Sequence, residues 1–250
     1  MHMSQPQAIT SAANASFKQF KSLQQSKGIQ KEGLAIIAGK IQVAEAVANY
    51  PEFAEAWLTC NEDAPPIPHI KWFNFTPGLF KELDVAGTNQ PLLVVRAAAL
   101  QKWSDEDPWP RGCTLFVAFQ NPDNVGAVIR SAAAFSVARV VLLEEAAHPF
   151  HPKSSRAAGS AIFQVPLLRG PSIETLTVKK APLIVLDAKG AKLGNFPEAF
   201  GLIAGVEGPG LPAHLRAGET RSIPIAANVE SLNAATATAI ALYAWAQERR

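Results

Sequence analysis

The stretch "CTLFVAFQNPDNVGAVIRSAAAFSVARVVLLE" (Cys113–Glu144) decides how this chain is read. It opens on an unbroken apolar run and crosses a polar turn. It then turns small and apolar at helical spacing and closes on a second apolar run. Apolar runs without alternation mark strands buried on both faces, hence a largely parallel sheet. Asp123 or Asn124 is expected to cap the helix between them, and Gly126 permits close backbone approach. Arg130 is the exception in this helix. It either carries its charge out to solvent or does chemistry.

The same rhythm continues outward. Downstream, "FQVPLL", "PLIVLDA", "FGLIAGV" and "TRSIPI" read as strands, and "NAATATAIALYAWA" as a terminal helix with basic residues at its end. Upstream, residues 1–14 read as frayed, and Ser16–Lys27 as a basic helix stopped by Gly28. "GLAIIAG", "EAWLTC", "IKWFNF" and "QPLLVVRAAA" read as strands, with helices at "KIQVAEAVANY" and "PGLFKELDVA". Between these halves "LQKWSDEDPWPRG" carries two prolines, a charge cluster and two tryptophans, which could anchor it to either side. This predicts an α/β unit over residues 15–99, a linker over 100–112 and a second α/β domain over 113–250.

Composition narrows the classes. At 250 residues, 48% hydrophobic and 18% charged, the chain is globular, and a net charge of +2 excludes a strongly basic nucleic-acid coat. Charge is uneven, however: Lys18, Lys21, Lys27 and Lys31 precede the first acid, Glu32, as a solvated helix face or a basic arm. Cys60 and Cys113 are far apart in sequence, which argues for a reducing compartment. Neither a signal-type apolar core nor a membrane-length apolar run is visible, so a soluble, cytoplasmic protein is expected.

Three loops at expected strand ends concentrate polar groups, where open parallel sheets bind ligands. The first is "NPDNVGAVIR", which a capped helix with one surface arginine would also explain. The second, "LIAGVEGPGLP" (Leu202–Pro212), sets Gly205, Gly208 and Gly210 around Glu207. Such glycines expose backbone to a flat ligand, unless they simply form a tight turn. In the third, "IPIAANVESLN", a strand ends near Ile225, Asn228 and Glu230 follow, and Ser231 is the expected N-cap. Capping explains Asn233 less well. "HPFH" (His148–His151) lacks a partner acid or cysteine, so no metal site is expected. Lys153 and Arg156 in "HPKSSRAAGS" could hold phosphates or form a solvated loop.

Taken in order, "NVGAVIR", "GVEGPGL" and "IPI…SLN" resemble the three motifs of the SpoU (TrmH-type) RNA ribose methyltransferases of the SPOUT superfamily, as "SSRAAGSAIFQVP" resembles their connecting segment. More faintly, "KEGLAIIAGKIQVAEAVA" and "LFKELDVAGTNQPLLVV" resemble the ribosomal-protein-like RNA-binding domain often fused in front. The resemblance implies a trefoil knot, a homodimer, bound S-adenosylmethionine and methylation of a ribose 2′-hydroxyl in structured RNA, ribosomal before transfer RNA. It assigns Asn124, Arg130, Glu207, Ser231 and Asn233 to the catalytic pocket. Gly205, Gly208, Ile223, Ile225 and Leu232 would hold the cofactor. Lys18, Lys21, Lys27, Lys31, Lys153 and Arg156 would meet RNA. No hydropathy pattern reveals a knot.

Three positions depart from the family pattern: Ala38 replaces a usual glutamate, Ala227 a glycine and Ala235 a serine. The rival readings are a non-catalytic RNA-binding or assembly protein that keeps the fold, and a relative that methylates a base nitrogen.

Overall fold

The computed structural model describes residues 5–61, 63–97, 99–205, 210–226 and 228–249. Glu207, Gly208 and Ala227 lie outside them. The chain divides into two compact units, Met1–Ala99 with His148–Ser160, and Leu100–Ala147 with Ala161–Arg250.

In the first unit, β1 (Gln7–Ile9), β2 (Leu34–Ile37), β3 (Ala54–Thr59), β4 (Lys71–Phe75) and β5 (Leu92–Arg96) form a sheet in the order β1-β4-β3-β5-β2. Its β1, β4 and β3 are mutually parallel, whereas β5 runs antiparallel to both β3 and β2. The expected frayed start is therefore corrected, because Gln7–Ile9 pair with Phe73–Phe75 as an edge strand. The expected basic helix is two helices, α1 (Ala15–Ser22) and α2 (Ser26–Glu32), so Gly28 does not stop it. A Cβ at Gly28 would fall 2.0 Å from the Ser22 carbonyl oxygen, so this glycine lets the two helices close on each other. The stop is Gly33, in the left-handed conformation at φ 63°. Phe17 and Phe20 of α1 are buried against Phe73 and Phe75, with Phe20 edge-on to Phe73 at 5.1 Å. α3 (Lys40–Asn49) and α4 (Pro77–Leu83) complete the unit's first stretch.

The second unit is built on seven strands: β6 (Gln101–Lys102), β7 (Gly112–Val117), β8 (Arg139–Leu142), β9 (Leu167–Arg169), β10 (Leu183–Lys192), β11 (Ala199–Ala204) and β12 (Glu219–Ser222). Their order is β12-β10-β11-β7-β8-β9-β6, and every neighbouring pair is parallel. Phe116, Val141, Val185 and Ile203 bury the sheet's interior. The stretch expected as a linker joins this sheet: Gln101–Lys102 pair with Leu168–Arg169, and Trp103 is buried edge-on to Phe116 at 5.1 Å. Trp109 packs on Trp103 in the same way, and Arg139 lies over its ring at 5.2 Å.

Helix α5 (Pro122–Ala134) follows β7, and α6 (Pro152–Ala158) belongs to the segment grouped with the first unit. α7 (Ala213–Arg216) precedes β12, and α8 (Ala234–Glu248) closes the chain. From β7 the strand order runs through β8 and β9 on one side and returns through β11 and β10 on the other. That reversal is a topological switch point, and ligands in open α/β sheets bind beyond the carboxyl ends of strands at such points.

Candidate active site

Helix α5 is capped by Asn121, not by Asp123 or Asn124: the Asn121 Oδ1 accepts from the Asp123 N–H at 2.9 Å, and Pro122 occupies the first turn. Val125, Val128, Ile129 and Ala132 bury one face of the helix, which leaves Arg130 exposed. At the other end of the motif set, β12 stops at Ser222, short of the expected Ile225. The cap of α8 is Asn233, not Ser231, and its Oδ1 accepts from the Thr236 N–H at 3.1 Å. The Asn233 amide nitrogen is then left to donate to the Asn124 Oδ1, also at 3.1 Å. One side chain thus caps a helix and joins the first motif to the third.

A cavity of about 500 Å³ opens where β11 ends and β10 stops pairing with it. Leu186 and Asp187 come from β10, and Ala204 and Gly205 from the end of β11. Ile223 and Ile225 come from the segment after β12, and Glu230, Ser231, Leu232 and Asn233 from the approach to α8. The structure therefore gathers Gly205, Ile223, Ile225, Ser231, Leu232 and Asn233 in one wall. Asn124 lies instead at a neighbouring smaller cavity, and Arg130 lines neither. Ala235 is buried in α8, and the cavity is lined by Ala234 and Ala237 instead.

Two polar groups there, Asp187 and Arg221, belong to none of the three motifs, and neither does Gly190 outside the cavity. Asp187 follows the "LIVL" run, and the position itself, just past the point where β10 stops pairing with β11, is the signal. Its Oδ1 accepts from the Lys189 N–H at 2.8 Å. Arg221 lines the cavity beside Asp187 and pairs with Glu219, while its Nε is buried without a hydrogen-bond partner among the described residues. Gly190 has no such signal. A Cβ there would fall 2.5 Å from the Arg221 backbone nitrogen, so the irregular pairing of β10 with β12 requires a glycine.

Gly205 is the opposite case. Among the described residues a Cβ at Gly205 would meet no atom within 4 Å, so their packing does not explain the missing side chain. The space it leaves belongs to the cavity. Volume, apolar walls and a few convergent polar groups fit a nucleoside-sized cofactor.

The basic residues form a different set. Lys18, Lys21, Lys27 and Lys31 are exposed on α1 and α2, and Lys153 and Arg156 are exposed on α6. Lys21 is paired with Glu82, and Lys31 lies 3.6 Å from Glu32. The two "HPFH" imidazoles serve the backbone: His148 Nδ1 accepts from the Phe150 N–H at 3.2 Å, and His151 Nδ1 from the Lys153 N–H at 3.3 Å. Burial, with His151 nearby, pushes the His148 imidazole down to about 4.

Residues 114–243 match the model of the SpoU rRNA Methylase family. The chain belongs to this family. It is 44% identical over 245 residues to "Ribosomal RNA small subunit methyltransferase G 2" of Syntrophobacter fumaroxidans, a match covering 96% of this chain and 49% of that protein. The chain thus spans about half of that relative's length. It is 29% identical over 246 residues to the 23S rRNA (guanosine(2553)-2′-O)-methyltransferase RlmP of Bacillus subtilis, covering 94% of this chain and 97% of the relative. The fold is that of a SpoU methyltransferase. The AviRb enzyme of Streptomyces viridochromogenes, solved with AdoMet, superimposes with a TM-score of 0.79 at 24% identity, covering 94% of this chain and 98% of AviRb.

Proposed function

We propose that this chain transfers a methyl group from S-adenosylmethionine to a ribose 2′-hydroxyl of structured RNA, ribosomal RNA before transfer RNA, as a cytoplasmic homodimer with a knotted second unit. The carrying observation is the cavity where β11 ends and β10 stops pairing with it, at which Gly205 leaves space that no atom of the described residues uses. When bound, the cofactor supplies a methyl group on a cationic sulfonium. Leu186, Ala204, Ile223, Ile225 and Leu232 provide apolar walls for a flat purine, and the Asp187 carboxylate can accept from a hydroxyl donor. Gly208 and Glu207 join this site by their position in the second motif. Ser231 and the Asn124–Asn233 amide pair orient the acceptor ribose.

Arg130 supplies a permanent cation. A guanidinium is not deprotonated at neutral pH, so it does not take the hydroxyl's proton, which leaves to solvent. Its role is to stabilise the negative charge developing on the ribose oxygen as the C–O bond forms, the C–S bond breaks and the sulfonium departs as a neutral thioether. Because Arg130 is exposed and lines neither cavity of its own chain, it completes the site of a second copy. Ile240 and Tyr243, 36% and 54% exposed on α8, give such a copy an apolar face. Lys18, Lys21, Lys27, Lys31, Lys153 and Arg156 attract the RNA backbone, which makes binding salt-dependent. Among the described residues no helix is long and apolar enough to cross a membrane.

The test uses the full chain, methyl-tritiated S-adenosylmethionine and separately supplied ribosomal subunits and transfer RNA, with digestion to nucleosides. Label on the ribose of a ribosomal nucleoside is expected. Label on a base nitrogen, or cofactor binding without transfer to any RNA, overturns the reading. Absence of cofactor binding in calorimetry would leave the non-catalytic rival.

A further inference from the structure

The second unit holds another cavity, of about 220 Å³, immediately beside the first motif. Phe119, Gln120 and Asn121 contribute from the end of β7, Asn124 from α5, and Glu145, Ile173 and Glu174 from the loops beyond β8 and β9. At this size it is below the range of drug-sized pockets and suits a single planar fragment. Its position is informative. Asn124 lines this cavity and Asn233 the larger one, and a single 3.1 Å hydrogen bond joins the two amides. Methyl transfer by in-line displacement needs donor and acceptor on opposite sides of the moving carbon. Two cavities that meet at one amide pair offer that arrangement.

Resting on the methyltransferase reading above, we infer that the smaller cavity receives the base of the acceptor nucleotide and that its lining selects guanine. Phe119 and Ile173, 5% and 6% exposed, present apolar surface to the faces of a ring. Both oxygens of Glu145 are engaged, Oε1 accepting from Ser172 Oγ at 2.5 Å and from the Ile173 N–H at 3.0 Å and Oε2 from the same N–H at 3.1 Å. Glu145 therefore shapes the cavity, and the reading carboxylate is Glu174. Glu174 sits on an exposed turn at the rim. An ionised carboxylate only accepts hydrogen bonds. Guanine alone sets two donors side by side on its pairing edge, N1–H and the N2 amino group, and these match a carboxylate bidentately. Uracil offers one N–H between two carbonyls. Adenine and cytosine place an acceptor nitrogen next to their amino group, which a carboxylate repels. Arginine or lysine in the same place would have chosen differently.

The experiment titrates the full chain, saturated with S-adenosylhomocysteine, with GMP, AMP, UMP and CMP, read by saturation-transfer NMR. GMP should bind about tenfold to a hundredfold more tightly than the others, the discrimination expected of one bidentate base contact. Glu174→Gln should remove that preference while leaving S-adenosylhomocysteine affinity and thermal unfolding unchanged. Tighter binding of a pyrimidine nucleotide, equal binding of all four, or undiminished GMP preference in the variant overturns the inference. Binding of S-adenosylhomocysteine without any nucleotide overturns the inference alone. Failure to bind S-adenosylhomocysteine overturns the methyltransferase reading, and the inference with it.

Discussion

The amino and carboxyl ends of the parallel sheet use glycine for opposite reasons. At the amino end Gly112 starts β7 at φ 94°, and a Cβ there would press to 3.2 Å on the ring of Trp245. That indole is edge-on to Phe200 at 5.6 Å and carries the Arg249 guanidinium at 3.6 Å. Within β11, a Cβ at Gly201 would reach 2.9 Å from both Leu183 and Phe116. Past the carboxyl end of the same strand, Gly205 faces nothing within 4 Å among the described residues. A glycine crowded by neighbours serves packing. One that lines a cavity, as Gly205 does, leaves its space open there. On the proposed reading stability and function are separated along this one strand, and variants at its two ends should fail in different assays.

The largest effect is expected for Arg130→Ala. Loss of a charge that stabilises the transition state typically lowers turnover about 100- to 1,000-fold. Cofactor affinity should not change, because the proposed role of Arg130 is toward the attacking ribose oxygen and not toward the cofactor. Mixing this variant with Asn233→Ala should restore part of the activity, since one of the mixed dimer's two sites would regain both residues. Mixing that restores nothing would return Arg130 to its own subunit's site. Next comes the glycine contrast. Gly205→Val should weaken cofactor binding about tenfold to a hundredfold by filling the cavity, with little change in melting temperature. Gly201→Ala should destabilise by about 1–3 kcal/mol through overpacking, with cofactor affinity unchanged. Equal melting losses for both would remove the distinction between the two ends.

His148 separates packing from chemistry by pH. Its imidazole is held down to about 4 in the folded chain, against about 6.5 when unfolded. The native form is neutral, and Nδ1 must stay unprotonated to accept from Phe150. This stability is therefore complete above about pH 6.5 and is lost as pH falls toward 4, by at most about 3 kcal/mol. His148→Gln should flatten melting temperature against pH over that window. A variant as acid-sensitive as the parent would show that another group carries the effect.

The fold was legible where pattern alone decides it. Unbroken runs such as "CTLFVAF" and "PLIVLDA" became central parallel strands because both sheet faces are covered. Errors fell at chain ends and helix starts. β1 is only three residues long and gains its place from pairing with β4, which no local signal carries. Gly28 reads as a stop in one dimension but is a close approach in three. Ser231 was as good a cap by residue type as Asn233; the helix begins at Ala234 because Asn233 also reaches Asn124. The site came from the ordered motifs more than from any one of them. Arg221 and Gly190 were illegible because their meaning depends on how β10 and β12 pair.

The smallest effect concerns that cap and tests whether the amide pair belongs to packing or to function. Asn14 and Asn233 each cap a helix through Oδ1, Asn14 by accepting from the Ser16 N–H at 2.8 Å. Replacing either by alanine should cost about 1 kcal/mol of stability. Asn14→Ala should do nothing further to turnover at saturating RNA. Asn233→Ala also removes the bond to Asn124, and Asn124→Ala removes the same bond without touching a cap. Turnover should therefore fall alike in Asn233→Ala and Asn124→Ala, although only the first loses the cap's stability. If turnover instead follows melting temperature across all three variants, the bridge between the first and third motifs is architecture, and the juxtaposition of the two cavities loses its catalytic meaning.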